Sequence, residues 1–166
     1  MVIYNRLNFE LLRCIDIQIL EGEMILKITG KIGSGKSTLA NYVINLSQRE
    51  IIGFRSYFDD SKNSLYLEFM NGPRYKIAFR DGKMVGIKET LDDLAMLLNT
   101  VDTTGKVLFI DEIGYVEIVS QKFVDALLNL IKRTQDGVIV IRENSPLREE
   151  LDGIGIFFEI HKVEAT

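Results

Sequence analysis

Gly30-Lys31-Ile32-Gly33-Ser34-Gly35-Lys36-Ser37 fits the pattern G-x-x-x-x-G-K-[ST] at every fixed position. The pattern describes a backbone device. Phosphate oxygens need several donors converging on a small volume, and main-chain N–H groups supply them where the chain wraps closely. Glycine permits both the dihedrals and the approach. A helix opening near Lys36 would point its unpaired N–H groups and the positive end of its dipole at the same anion. Lys36 would then reach the β- and γ-phosphates of a nucleotide, and the Ser37 hydroxyl would ligate Mg2+. The candidate binding set is Gly30, Lys31, Ile32, Gly33, Ser34, Gly35, Lys36, Ser37 and Thr38.

The flanking sequence supplies the setting this loop requires. Met24–Thr29 is a short, mostly apolar run that predicts a strand entering the loop. Lys36–Gln48 leaves it with Leu39, Tyr42, Val43 and Leu46 at i, i+3, i+4 and i+7, the spacing of an amphipathic helix facing inward. Upstream, Cys14–Ile19 alternates as a half-buried strand does, and Glu21-Gly22-Glu23 turns the chain.

Downstream, Ile51–Tyr57 predicts a strand, and Ser64–Phe69 and Tyr75–Phe79 alternate on either side of Asn71-Gly72-Pro73, as a hairpin or meander would. Asp81-Gly82 marks a further turn. Thr90–Asn99 places Leu91, Leu94, Ala95 and Leu98 on one helical face, and Ser120–Arg133 does the same with Phe123, Leu127, Leu130 and Ile131. Val107–Ile110 and Val138–Ile141 are continuous apolar runs, expected of strands covered on both faces; Ile156–Ile160 is a last strand. Strands separated by helices predict an α/β protein with a largely parallel central sheet, the meander being an antiparallel insertion or edge. With neither a repeat nor a linker-like tract, residues 1–166 read as a single domain.

One of those buried runs ends in Asp111-Glu112. Open α/β sheets bind ligands at the carboxyl ends of their strands, so Asp111 would stand beside the phosphate loop, where an acid helps to hold Mg2+. Glu112 is then placed to polarise the water that attacks a γ-phosphate. Arg142 follows the strand Val138–Ile141 and would reach the same edge, with Glu143 and Asn144 beside it; there it could neutralise developing charge. Arg55 and Arg148 are weaker candidates of the same kind. Tyr57 and Phe58 could stack on a base or simply pack at a rim.

Composition narrows the rest. The net charge is −4, unlike that of a uniformly basic nucleic-acid binder, so nucleic acid is not indicated as a partner. Cys14 is the one cysteine and His161 the one histidine, which excludes an internal disulfide and a Cys/His metal cage. No apolar run approaches the roughly 18–20 residues that span a bilayer, and Met1–Glu10 lacks the apolar core of a secretory signal. The expected setting is cytoplasmic, without a membrane partner. Preferred base and oligomeric state have no signature in the sequence.

The run Asp111-Glu112-Ile113-Gly114, followed by Glu117 and Phe123, resembles the D-E-I-G-x-M-E…F signature of the small nucleoside-triphosphatase family, which includes the cancer-related nucleoside-triphosphatase of animals and its thermophile relatives. Gly53-Phe54, Tyr75–Phe79 and Asp81-Gly82 match more loosely, and the resemblance extends over about residues 24–160. It implies a three-layer, RecA-like P-loop NTPase fold and magnesium-dependent hydrolysis of ATP, GTP and other NTPs to NDP and phosphate. Carried over by motif, Lys36 and Ser37 take the phosphate-loop roles, Asp111 the magnesium role and Glu112 that of the base. Tyr115-Val116-Glu117 departs from the family's lysine-methionine-glutamate. The segment Ile15–Leu39 also resembles the opening of an ABC-type ATPase, but no L-S-G-G-Q signature follows. Two rivals to hydrolysis stay open: a kinase passing the γ-phosphate to a nucleotide or polynucleotide acceptor, and a nucleotide-dependent switch or assembly subunit with negligible turnover.

Overall fold

A computed structural model describes residues 2–4 and 24–160. The strand expected over 14–19, the turn at 21–23, Cys14 and His161 lie outside the described residues. In chain order the elements are β1 (Val2–Tyr4), β2 (Ile25–Gly30), α1 (Lys36–Asn45), β3 (Ile51–Phe58), β4 (Ser64–Phe69), β5 (Arg74–Asp81), β6 (Lys83–Gly86), α2 (Lys88–Asn99), β7 (Val107–Ile113), a 3-10 turn (Val116–Val119), α3 (Gln121–Arg133), β8 (Gly137–Ile141), α4 (Arg148–Leu151) and β9 (Ile156–Ile160).

The strands form one nine-stranded sheet in the order β1-β9-β2-β8-β7-β3-β4-β5-β6. Every neighbouring pair from β1 to β3 is parallel, and every pair from β3 to β6 is antiparallel. The meander is therefore the sheet's edge rather than an interruption of it.

Side-chain alternation builds a layer on each face of this sheet. Leu26 and Ile28, Val107 and Phe109, and Val138 and Val140 pack with Ala40, Val43 and Ile44 of α1. Their neighbours Ile25, Leu108 and Ile110, Ile139 and Ile141 point the other way, into a larger core with Leu91, Leu94 and Leu98 of α2 and Phe123, Leu127 and Leu130 of α3. A period of two in the central strands thus gives helix, sheet, helix. Ser120 caps α3 by accepting the Phe123 N–H at 3.1 Å, and its hydroxyl donates to Asp92, which ties the two helices on that face together.

Some expectations change in detail. The buried stripe of α1 is Lys36, Ala40, Val43 and Ile44, and Tyr42 points outward at 54% exposure. The stripe is rotated because the helix begins with Lys36 tucked under the loop. β6 and α4 did not stand out in the sequence; one is a four-residue strand completing the meander and the other a single helical turn.

Lys27 interrupts the apolar lining of β2 and is fully buried. Its ammonium donates to the Leu151 carbonyl at the end of α4 and lies 3.9 Å from the centroid of the Phe157 ring. Burial pushes its pKa down to about 8, against the opposing pull of Asp152. A base whose pKa is depressed by folding weakens the fold while both states are protonated. That cost lifts as pH rises from about 8 towards the unfolded value near 10.4, because there the unfolded chain holds a proton that the folded chain has released. Stability in urea is accordingly expected to rise with pH across this window. Lys27→Met is expected to flatten the rise and to be no less stable than the parent at pH 7; an unchanged slope would show that Lys27 does not titrate there.

Candidate active site

The loop after β2 is held open by its own backbone. Gly35, the residue before α1, has φ of 93° and offers no side-chain cap. The first helical bond runs from the Leu39 N–H to the Gly35 carbonyl, so the N–H groups of Lys36, Ser37 and Thr38 have no partner within the helix. A side chain at Gly30 would place its Cβ 2.6 Å from the Ile160 carbonyl oxygen and 2.9 Å from Ser34 Oγ, so only glycine lets β9 and the loop close on each other here. The Ser34 N–H closes the turn on the Lys31 carbonyl at 3.1 Å. Lys36 is 8% exposed and folds back under the loop, where Nζ donates to the carbonyls of Gly30 at 2.9 Å and Lys31 at 3.3 Å.

β8 lies between β2 and β7, and all three are parallel. The loop after β2, the acids ending β7 and Arg142 after β8 therefore emerge at one edge. The register of β7 against β8 slips between Asp111 and Ile113: Asp111 pairs with Val140 and Ile113 with Ile141, leaving Glu112 as the extra residue. A bulge re-aims side chains that would otherwise alternate, and both acids meet the loop. Asp111 Oδ1 accepts the Ser37 hydroxyl at 3.0 Å, while Glu112 Oε2 is 3.9 Å from Lys36 Nζ.

Burial lifts both carboxyls above their ordinary range. For Asp111 the Ser37 hydroxyl, Lys36 and Arg55 pull the other way; for Glu112 Lys36 and Arg142 do so, while the Asp111 charge lifts it further. Two clefts flank the acids. One, of about 370 Å3, is lined by Ile32, Gly33, Gly35, Lys36, Ser37 and Thr38 with Phe58, Glu112 and Arg142. The other, of about 480 Å3, is lined by Ser37, Asp111 and Glu112 with Arg55, Ser56 and Tyr57.

The remaining candidates separate clearly. Arg142 stands at the cleft with its guanidinium 5.4 Å from the Tyr115 ring centroid, and its main-chain N–H donates to the Ile113 carbonyl at 2.9 Å. Arg55 pairs with Asp111 across β3 and β7 and bridges to Glu68 at 3.4 Å. Arg148 is drawn away by α4 and lies 5.5 Å from the Phe157 ring. Glu143 and Asn144 are exposed in the turn after β8, and Lys31 is exposed at the loop. Tyr57 stacks on Tyr66 with centroids 6.1 Å apart, the packing alternative for that residue, whereas Phe58 lines the cleft. Ser56 and Glu117 also sit behind the acids. Nothing in a single sequence marks a serine in a strand, whereas Glu117 belongs to the signature run and only its place beside Glu112 is new.

A model of the family described as NTPase matches residues 25–164. The chain belongs to the NTPase family. This NTPase is thereby a nucleoside-triphosphate phosphohydrolase, with the D-E-I-G run at the tip of β7. No curated protein matches the sequence. The NTPase fold is shared with THEP1 from the hyperthermophile Aquifex aeolicus, at 22% identity and a TM-score of 0.60 over 85% of this chain and 91% of that one. It is shared equally with a human cancer-related nucleoside triphosphatase, at 21% identity and 0.61 over 85% and 89%. The Thermotoga maritima RuvB Holliday junction branch migration motor matches at 18% identity and 0.50, over 92% of this chain but 43% of its own. Among the described residues, no helix of the NTPase is long and apolar enough to cross a membrane.

Proposed function

We propose that the chain hydrolyses ATP, GTP and other NTPs to NDP and phosphate with Mg2+, at the cleft between the loop Gly30–Thr38 and the acids Asp111 and Glu112. The observation that carries this reading is the convergence of three chemistries at one edge: unpaired helix amides, the Ser37–Asp111 pair at 3.0 Å, and Glu112 within 3.9 Å of Lys36. The hydroxyl and carboxylate fit a small hard cation, which needs few protein ligands and completes its shell with water and phosphate. Ser37 and Asp111 would hold it, and when bound it supplies positive charge beside the transferring phosphoryl group.

The chain's own residues do the rest. The amides of Lys36, Ser37 and Thr38 bind phosphate oxygens, and Lys36 exchanges its two loop carbonyls for the β- and γ-phosphates. Glu112, ionised, orients a water and takes its proton as the oxygen bonds to the γ-phosphorus and the bond to the β-phosphate oxygen breaks. Arg142 meets the charge that develops on the γ-phosphoryl oxygens.

The cleft lined by Arg55, Ser56 and Tyr57 leaves room beside the acids for a phosphoryl acceptor, which is what favours the kinase as the second reading. Phosphate release from ATP, GTP, CTP and UTP, with and without nucleoside, nucleotide and 5′-hydroxyl oligonucleotide acceptors, separates the two. Hydrolysis predicts free phosphate at a rate no acceptor changes. Label appearing on an acceptor at the expense of free phosphate would establish transfer instead.

A further inference from the structure

Beside Glu112, and sharing Phe58 and Arg142 with the phosphate-loop cleft, Ser56, Leu65, Met84 and Glu117 line a partly open cavity of about 100 Å3, with Glu112 itself in the wall. Glu117 is 2% exposed. Its Oε1 accepts the Gly114 N–H at 3.2 Å, which holds the turn after β7, but its Oε2 is buried with no protein partner. Ser56, on β3, lines the same cavity as well as the cleft beside Asp111, and its Oγ is likewise buried and unpartnered. Buried polar atoms are almost always hydrogen-bonded, and two that are not, on residues lining one cavity, point to an occupant that both donates and accepts. Its size is set by the cavity: at about 30 Å3 each, 100 Å3 takes on the order of three waters.

We propose that this cavity is a built water site and that Glu117 is a positioning residue for hydrolysis, holding waters that hydrogen-bond to Glu112 and fix its carboxylate towards the attacking water. Glu117 touches neither nucleotide nor reacting atoms. In each turnover the attacking water's oxygen bonds to the γ-phosphorus, its proton passes to Glu112, and the electron pair of the broken P–O bond leaves on the NDP. Glu112 then returns that proton to solvent through the cavity waters. The positioning role rests on the hydrolytic reading above; the water site does not.

Three substitutions and one map test it. Glu117→Met keeps roughly the same volume and removes both oxygens, while Glu117→Gln keeps an acceptor for the Gly114 N–H and turns an amide to the waters. A crystal structure of the parent is expected to show ordered water within hydrogen-bond reach of Glu117 Oε2 and of Ser56 Oγ, absent in Glu117→Met. Glu117→Met is expected to lower kcat about 10–100-fold with KM and nucleotide affinity unchanged, and Glu117→Gln to recover most of that loss. A dry cavity in the parent, or Glu117→Met turning over at the parental rate, overturns the proposal. A parent inactive on every NTP overturns hydrolysis and the positioning role together, while the map still decides the water site. Should Glu117→Met not fold, Ser56→Ala removes the other anchor and is expected to lower kcat several-fold at constant KM; parental kcat there overturns the positioning role.

Discussion

Glu112→Gln is expected to bind Mg-ATP within a few-fold of the parent and to lose turnover by about 10²–10⁴, the range that a positioned general base contributes. The substitution keeps the shape of the side chain, so the bulge that aims it is preserved, and Asp111 still meets Ser37. What disappears is the carboxylate proposed to draw the proton from water. Burial raises the pKa of Glu112, and with it the pH at which this base becomes available, so kcat in the parent should rise with pH through that raised value and then level. Folding stability should move the opposite way. A buried carboxyl whose pKa is raised in the folded state costs nothing below the unfolded carboxylate range and costs more as pH rises through its folded value, so Glu112→Gln should be the more stable protein at neutral pH. Stopped-flow phosphate release and urea titration check both. Retained turnover in this variant would remove Glu112 from the mechanism.

Lys36→Ala is expected to lose both binding and catalysis, with kcat/KM down by roughly 10³-fold, since it removes a charge-assisted donor from the place where phosphoryl charge develops. The loop should survive. Its turn is closed by the Ser34–Lys31 bond and shaped by glycines, none of which needs the ammonium, although the Gly30 and Lys31 carbonyls lose their donor. Lys36→Arg should fail almost as badly, because a bulky fork cannot enter the narrow space that an 8%-exposed lysine occupies. Nucleotide titration by calorimetry separates lost binding from lost chemistry, and an intact circular-dichroism melt would show that the loss is local.

Most of the candidate site was legible in the sequence because its residues lie in short segments. Eight consecutive residues contain the phosphate loop, and two more contain the acids, each at the end of an apolar run long enough to recognise. The strand order, by contrast, depends on contacts between distant residues, and no local pattern says that β8 lies between β2 and β7. That placement is what brings Arg142 to the cleft, whereas Arg148, six residues later, is carried off by a single helical turn. The bulge at Glu112 is equally silent in one chain, since two acids in a row predict opposite faces. Glu117 is visible as part of the signature run and Lys27 is not, but the burial of both is hidden for a shared reason: a charged side chain reads as surface, and only the fold shows that each is covered.

If the loop and the tip of β7 together form a site for a metal-bound nucleotide, calorimetric titration of the parent with a non-hydrolysable ATP analogue, once with Mg2+ and once with a chelator, will show it. Binding at one site per chain is predicted, weakened by about tenfold or more when the metal is removed. No heat with either the ATP or the GTP analogue in the presence of Mg2+ would mean that the loop and the acids form no nucleotide site.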